Sequence, residues 1–266
     1  MIKAIAVGMD GTFLHSDGTY NHDRFLKVFR QLQDHQITLI AASGNPHYQL
    51  KKQFAPVQAD LAYVAENGVE VIQAGQVLSC EQMTSSAIQN VFQLHQDLPN
   101  SQFILSGFNQ AYLMGEKDDE FFDSVKHHYL GLKRIDDLQE VNEPIVKMQI
   151  KVPVDQTSQL QTYINDHIQG VTAVTSGYDD LDLIITGQDK AAGLAKLCQA
   201  NHWQASELMV FGDGQNDLSM LNFVGHSYAM ANGMAIVKEA AQNLAPSNDE
   251  DGVLQVIEAY LIQQYG

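Results

Sequence analysis

The sequence predicts an α/β protein in which a doubly wound parallel sheet is interrupted by an inserted α+β module. Three observations carry this expectation. In the first 70 residues short apolar runs alternate with helical stretches, and each run ends in a turn of glycine and polar residues. From about residue 82 the pattern changes to paired helices and strands with one polar side. From about residue 187 the alternation returns. The expected division is therefore 1–82 with 187–266 for the sheet domain, and 83–186 for the insertion.

Taken in order, Ile2, Ala4, Ile5, Ala6 and Val7 form a first buried strand that runs into the turn Gly8-Met9-Asp10-Gly11-Thr12. Residues 22–35 follow as an amphipathic helix, because Phe25, Val28, Phe29 and Leu32 fall on one face. A second strand, 37–42, ends at Ser43-Gly44-Asn45-Pro46, where Asn before Pro is a helix-start signal. A third, 61–65, ends at Glu66-Asn67-Gly68, and residues 69–72 and 77–78 flank Ala74-Gly75 as a hairpin. The β-α-β-α-β order implies right-handed crossovers and a parallel sheet.

Within the insertion, helices are expected at 85–97 and 118–129, and around Leu160, Tyr163, Ile164 and His167. Strands are expected at 103–106, 111–114, 145–152, 171–175 and 181–186. The strand 145–152 alternates cleanly: Val146, Met148, Ile150 and Val152 face inward, while Lys147, Gln149 and Lys151 are assigned to a wet face. The second half then gives a helix over 189–201, a strand over 208–211 and the turn Gly212-Asp213-Gly214-Gln215-Asn216-Asp217. A helix at 217–223, a strand at 227–230 and a last helix carrying Val253, Val256, Ile257, Tyr260 and Leu261 complete the chain.

The 266 residues are 45% hydrophobic and 18% charged, the balance of a globular protein large enough for two cores. Thirty-two acids against fifteen bases give a net charge of −17, which argues against a nucleic-acid surface and admits an acidic pocket that recruits a divalent cation. No apolar run is long enough to span a membrane, and the opening run is too short for a secretory leader. Cys80 and Cys198 match no metal or redox spacing, so a reducing cytoplasm is the expected setting. Oligomeric state is not readable.

Parallel strands place their carboxyl ends on one edge, so turns far apart in sequence can meet there. The turns 8–12, 43–45 and 212–217 are such turns, and Lys190 opens the helix before the strand at 208–211. Asp213, Asp217 and the Asp10 turn offer hard oxygens for Mg²⁺. Thr12, Ser43 and glycine amides can hold phosphoryl oxygens, and Lys190 can offset their charge. That inventory suits phosphoryl transfer, in which positioning and charge stabilisation carry most of the catalysis. A nicotinamide enzyme is disfavoured, since no Gly-x-Gly-x-x-Gly follows the first strand.

These residues resemble the haloacid-dehalogenase superfamily of phosphatases. The match runs through Met9-Asp10-Gly11-Thr12-Phe13-Leu14, Ala42-Ser43-Gly44-Asn45, Tyr48-Gln49-Leu50, Ala65-Glu66-Asn67-Gly68, Leu183-Ile184-Ile185, Lys190 and Gly212–Asp217. It is closest to the Cof-type branch and its bacterial sugar phosphatases, with a Rossmann-like core and a C2-type cap over 83–186. The resemblance implies an Mg²⁺-dependent phosphomonoester hydrolase acting on small sugar phosphates through an aspartyl-phosphate. Asp10 would protonate the leaving alkoxide and activate water, and its backbone carbonyl would bind Mg²⁺. Thr12 and Ser43 would hold phosphoryl oxygens, with Gly44 and Asn45 beside the substrate. Lys190 would neutralise charge, Asp213 would ligate Mg²⁺, Asp217 would support the metal, and Asn216 would orient the network.

One residue departs from the pattern. The family's first motif reads Asp-x-Asp-Gly-Thr, and the position of the attacking Asp is Gly8. Glycine supplies neither nucleophile nor metal-binding carboxylate, so the chain is expected to be inactive or very weak as a phosphatase. The alternative is a non-catalytic sensor that binds sugar phosphates. Tyr178, Asp179 and Asp180 are expected near the sugar or in a surface turn, and His127-His128 are read as solvated.

Overall fold

The computed structural model describes residues 1–98, 101–115, 118–126, 129, 131–175 and 180–266. Its first part contains β1 (Ala4–Val7), α1 (His22–Asp34), β2 (Thr38–Ala42), α2 (His47–Gln53), β3 (Ala62–Ala65), β4 (Glu70–Gln73) and β5 (Gln76–Cys80). The middle part holds α3 (Ser85–Gln96), β6 (Gln102–Gly107), β7 (Ala111–Gly115), α4 (Asp119–Val125), β8 (Leu132–Arg134), β9 (Ile145–Lys151), α5 (Val154–His167), β10 (Val171–Val174) and β11 (Asp180–Ile185). The last part adds α6 (Lys190–Asn201), β12 (Leu208–Gly212), α7 (Leu218–Phe223), β13 (His226–Met230), α8 (Ala235–Ala240), β14 (Asn243–Ala245) and α9 (Gly252–Tyr265).

The first and last parts share one eight-stranded sheet, in the order β14-β13-β12-β1-β2-β3-β4-β5. The six strands from β14 to β3 pair in parallel, and β4 and β5 extend the sheet antiparallel. Alternation divides the strand side chains between two cores. Ile5, Val7, Met209 and Phe211 face α1, α2 and α9, whereas Ala4, Ala6, Leu208 and Val210 face α6, α7 and α8. Burial on both faces explains why these strands read as continuous apolar runs. The strand β14 and helix α8 were not anticipated from the sequence; β14 is three residues long and mostly exposed.

The middle part forms a second, six-stranded sheet in the order β10-β11-β9-β6-β7-β8. One face, with Phe103, Leu105, Met148, Ile150, Leu181 and Leu183, packs on Ala87 and Val91 of α3 and on Leu160 and Ile164 of α5. On the opposite face Phe121, Phe122 and Val125 of α4 cover Ile104 and Leu113. The remainder of that face is not open to bulk water as the sequence pattern suggested. Lys147 is buried at 5% exposure, and Gln149 and Lys151 are half-buried, because this face roofs the cleft above the first sheet. Among the described residues no helix is long and apolar enough to cross a membrane.

Candidate active site

The central strands β12, β1, β2 and β3 lie side by side, so the turns that follow them converge at one sheet edge. Gly8 leaves β1 with φ −59° and ψ 159°, a conformation open to any residue, and its N–H donates to the Phe211 carbonyl at 3.0 Å. Gly11 is different. Its φ is +70°, and a Cβ there would overlap the Asp213 carboxylate, so the turn needs glycine twice over. Asn232 Nδ2 donates to the Gly11 carbonyl at 2.7 Å and ties the turn down from the far side. Asp10 is exposed to the cleft, where its Oδ2 accepts from Asn45 Nδ2 at 3.0 Å.

Opposite Gly8, Lys190 Nζ donates to Asp217 Oδ1 at 2.6 Å, and both side chains are almost fully buried. The second Asp217 oxygen accepts from the Asp213 and Gly214 amides at 2.9 and 3.0 Å. Asp217 is thus spent on holding the lysine and shaping the 213–214 turn. From the sequence it is expected to offer an oxygen to the metal or to support the metal indirectly; its contacts here are with Lys190 and the two amides. Thr12, expected to hold a phosphoryl oxygen, is 1% exposed and its hydroxyl donates to Asp213 Oδ1 at 2.6 Å. Gly68 helps to place the lysine. With φ +95° and no Cβ, it lets the Asp189 carbonyl at the start of α6 press directly against it.

Burial, and then the neighbouring charge of Asp217, push the Asp213 carboxyl up to about 6; the Thr12 hydroxyl and Lys190 only partly oppose this. On the floor of the cleft three carboxylates, on residues 10, 213 and 217, face one ammonium, that of Lys190, so this floor is short of positive charge. That deficit, with the unblocked Asp213 Oδ2 and the adjacent Asp10 turn, fits a divalent cation held by few protein oxygens and several waters. Among the described residues no three acidic, histidine or cysteine side chains converge as a metal cage. Gly8 contributes no carboxylate and Asp217 is already paired.

The loop after β2 carries Ser43, Gly44 and Asn45. Asn45 N–H donates to Ser43 Oγ at 3.1 Å. The turn after β3 lies alongside it and holds two non-glycine residues in the left-handed region, Glu66 at φ +48° and Asn67 at φ +55°. Glu66 N–H donates to the Asn45 carbonyl, and Asn67 N–H to the Ser43 carbonyl. Asn67 Oδ1 accepts from Asn216 Nδ2 at 3.2 Å, while Asn67 Nδ2 donates to Asp182 Oδ2 at 2.9 Å, across to the second sheet.

These groups enclose a cavity of about 740 Å³. Its floor includes Gly8, Asp10, Ser43, Gly44, Asn45, Lys190, Asp213, Asn216 and Asp217. Its roof includes Phe121, Val125, Tyr129, Lys147, Gln149, Lys151 and Asp182. An ideal Cβ on Gly8 would lie 2.9 Å from Thr12 Oγ1 and 3.5 Å from Asp217 Oδ1, which places the missing side chain at the centre of this floor. Of the other positions noted from sequence, Tyr178, Asp179, His127 and His128 lie outside the described residues, and Asp180 opens β11.

A family model of haloacid dehalogenase-like hydrolases matches residues 5–257. The chain belongs to this family. Its relatives within the family's Cof-type phosphatases include YbjI of Escherichia coli K12, named a 5-amino-6-(5-phospho-D-ribitylamino)uracil phosphatase. YbjI is 35% identical over 98% of this chain and 96% of its own length. An HMP-PP phosphatase of Enterobacter sp. strain 638 is 26% identical over 88% of this chain and 86% of its own. The crystal structure of SMU.1108c from Streptococcus mutans UA159 superposes with a TM-score of 0.94 at 34% identity, covering 98% of this chain and all of that one.

Most of the residues named from the sequence line the floor of this cavity, whereas its roof comes from residues that no sequence motif marks. Lys147, Asp182 and the aromatic pair Phe121 and Tyr129 carried no signal beyond polarity or apolarity at ordinary spacing. Glu66 and Asn67 stood in a matching motif without a role; their left-handed backbone is what laces the two loops together.

Proposed function

We propose that this chain binds small phosphorylated sugars or polyols, with Mg²⁺, in the cleft of a phosphomonoester hydrolase, and turns them over only at a residual rate. The observation that carries this reading is position 8. It lies at the centre of a floor otherwise equipped for phosphoryl transfer, and it bears no side chain. The boundaries near 82 and 187 divide a core from a cap that closes over the leaving group.

In this reading Ser43 and nearby amides hold phosphoryl oxygens. Lys190, kept in place by Asp217, offsets their charge from below. Asp213 and the Asp10 carbonyl would hold Mg²⁺, which supplies further charge neutralisation when bound. With aspartate at position 8, the carboxylate would attack phosphorus, the ester P–O bond would break, and Asp10 would protonate the departing oxygen. With Gly8 the remaining nucleophile is water. Asp10 would then have to accept the water proton and donate one to the leaving group in the same step, which one carboxylate does poorly. The cavity volume and its aromatic roof leave room for a phosphorylated polyol bearing a planar ring, the kind of compound for which the YbjI phosphatase is named.

The experiment is a titration of inorganic phosphate in MgCl₂ by calorimetry, beside release of phosphate from p-nitrophenyl phosphate and a panel of sugar phosphates. Saturable binding with turnover far below that of Gly8→Asp is the expected result. No binding, or parent turnover equal to that of the variant, would overturn the proposal.

A further inference from the structure

The three consecutive carbonyls of the phosphate loop each have a donor, and the middle one is unlike the others. The Ser43 and Asn45 carbonyls accept from backbone amides of the adjacent turn, those of Asn67 and Glu66. The Gly44 carbonyl accepts from Lys147 Nζ at 2.6 Å, a side chain of β9 in the inserted sheet. The ammonium is held there by Glu66 Oε2 at 2.9 Å and Asp182 Oδ1 at 3.6 Å; Lys147 and Glu66 are nearly fully buried, and Asp182 and Gly44 are partly so. A lysine this buried is uncommon, and breaking such an arrangement leaves charges without partners.

The peptide that joins Gly44 to Asn45 carries that carbonyl on one side and the Asn45 N–H on the other. Lys147 holds the first, and Ser43 Oγ accepts from the second at 3.1 Å. A serine oxygen that already accepts there keeps its own O–H free to donate elsewhere. We propose that Lys147 is a positioning residue: by clamping the 44–45 peptide from the cap, it fixes the Ser43 hydroxyl as a donor to the phosphoryl group. Phosphate affinity thereby depends on where the cap sits. This rests on the reading that Ser43 holds a phosphoryl oxygen.

The test is a double-mutant cycle read by calorimetric titration of inorganic phosphate in MgCl₂. Lys147→Met and Ser43→Ala are each expected to weaken binding roughly tenfold, the scale of one hydrogen bond to a charged group. The double variant should bind as Ser43→Ala does, because Lys147 acts through that hydroxyl. Losses that multiply to roughly a hundredfold, or a Lys147→Met protein that binds like the parent, would overturn the inference. If Lys147→Met does not fold, Lys147→Met with Glu66→Gln removes the closer and more deeply buried of the two stranded carboxylates and enters the same cycle. A parent chain that binds no phosphate overturns the phosphate reading itself, an outcome distinct from additivity.

Discussion

Gly8→Asp restores one carboxylate to a floor that is otherwise equipped. The backbone tolerates it, since φ −59° and ψ 159° lie in the ordinary extended region. The new Cβ would stand 2.9 Å from Thr12 Oγ1 and 3.2 Å from Thr12 Cβ, so that hydroxyl must yield by a few tenths of an ångström and loosen its bond to Asp213. The added charge faces Asp217. Two like charges about 5 Å apart repel by roughly 3 kcal/mol at an effective dielectric near 20. Lys190 offsets part of that, which leaves a net destabilisation of about 1–2 kcal/mol without metal. For a chain of this size that is a fall in Tm of roughly 3–6 °C in EDTA, reversed by MgCl₂. Loss of a covalent nucleophile costs on the order of 10⁴–10⁶ in rate. Allowing for imperfect placement beside Thr12, p-nitrophenyl phosphate hydrolysis should rise at least about 10³-fold. A folded variant that binds phosphate yet is no faster than the parent would refute the assignment of position 8.

Four further outcomes follow from the same geometry. Lys190→Met strands Asp217 in a buried site and should cost about 3–5 kcal/mol in urea unfolding. Gly11→Ala places a Cβ against the Asp213 carboxylate at φ +70° and should cost about 2 kcal/mol or more, with weakened protection by Mg²⁺ against heat. Asp213→Asn should abolish the rise in Tm that MgCl₂ gives the parent, and an unchanged rise would remove Asp213 from the metal site. Glu70 is held near 7 by burial and then by the Glu66 charge. Its acid form is therefore favoured in the folded state, and the parent should lose stability as pH rises from about 4.5 to 7. Glu70→Gln should be more stable by up to about 3 kcal/mol at pH 8, with the gap closing below pH 4.5.

Much of the sheet was legible because its strands are buried on both faces and therefore apolar throughout, as in β1, β2, β3 and β12. The floor of the site was legible for a related reason. Turns at the ends of parallel strands must use glycine, aspartate, serine and asparagine where backbone approaches ligand, and those residues stand out between apolar runs. The polar face of β9 was misjudged because alternation shows which side is polar, not what lies over it. Lys147 reads like any solvated lysine until the 66–67 turn is brought against it. Thr12 was given a phosphoryl-facing role from residue type and from the resemblance, whereas its partner, Asp213, lies 201 residues further on. The donor from Asn232 to the Gly11 carbonyl spans 221 residues and has no local pattern at all.

The self-sufficiency of the floor has a consequence for how such a chain persists. Lys190 with Asp217, Thr12 with Asp213 and Asn45 with Asp10 satisfy one another, so nothing in the sheet leans on a side chain at position 8. An acid there would add repulsion, so its absence eases folding rather than hindering it. Proteases and chaperones that survey cells for unfolded chains have no means to recognise the loss. Selection for a stable fold therefore does not act against glycine at this position.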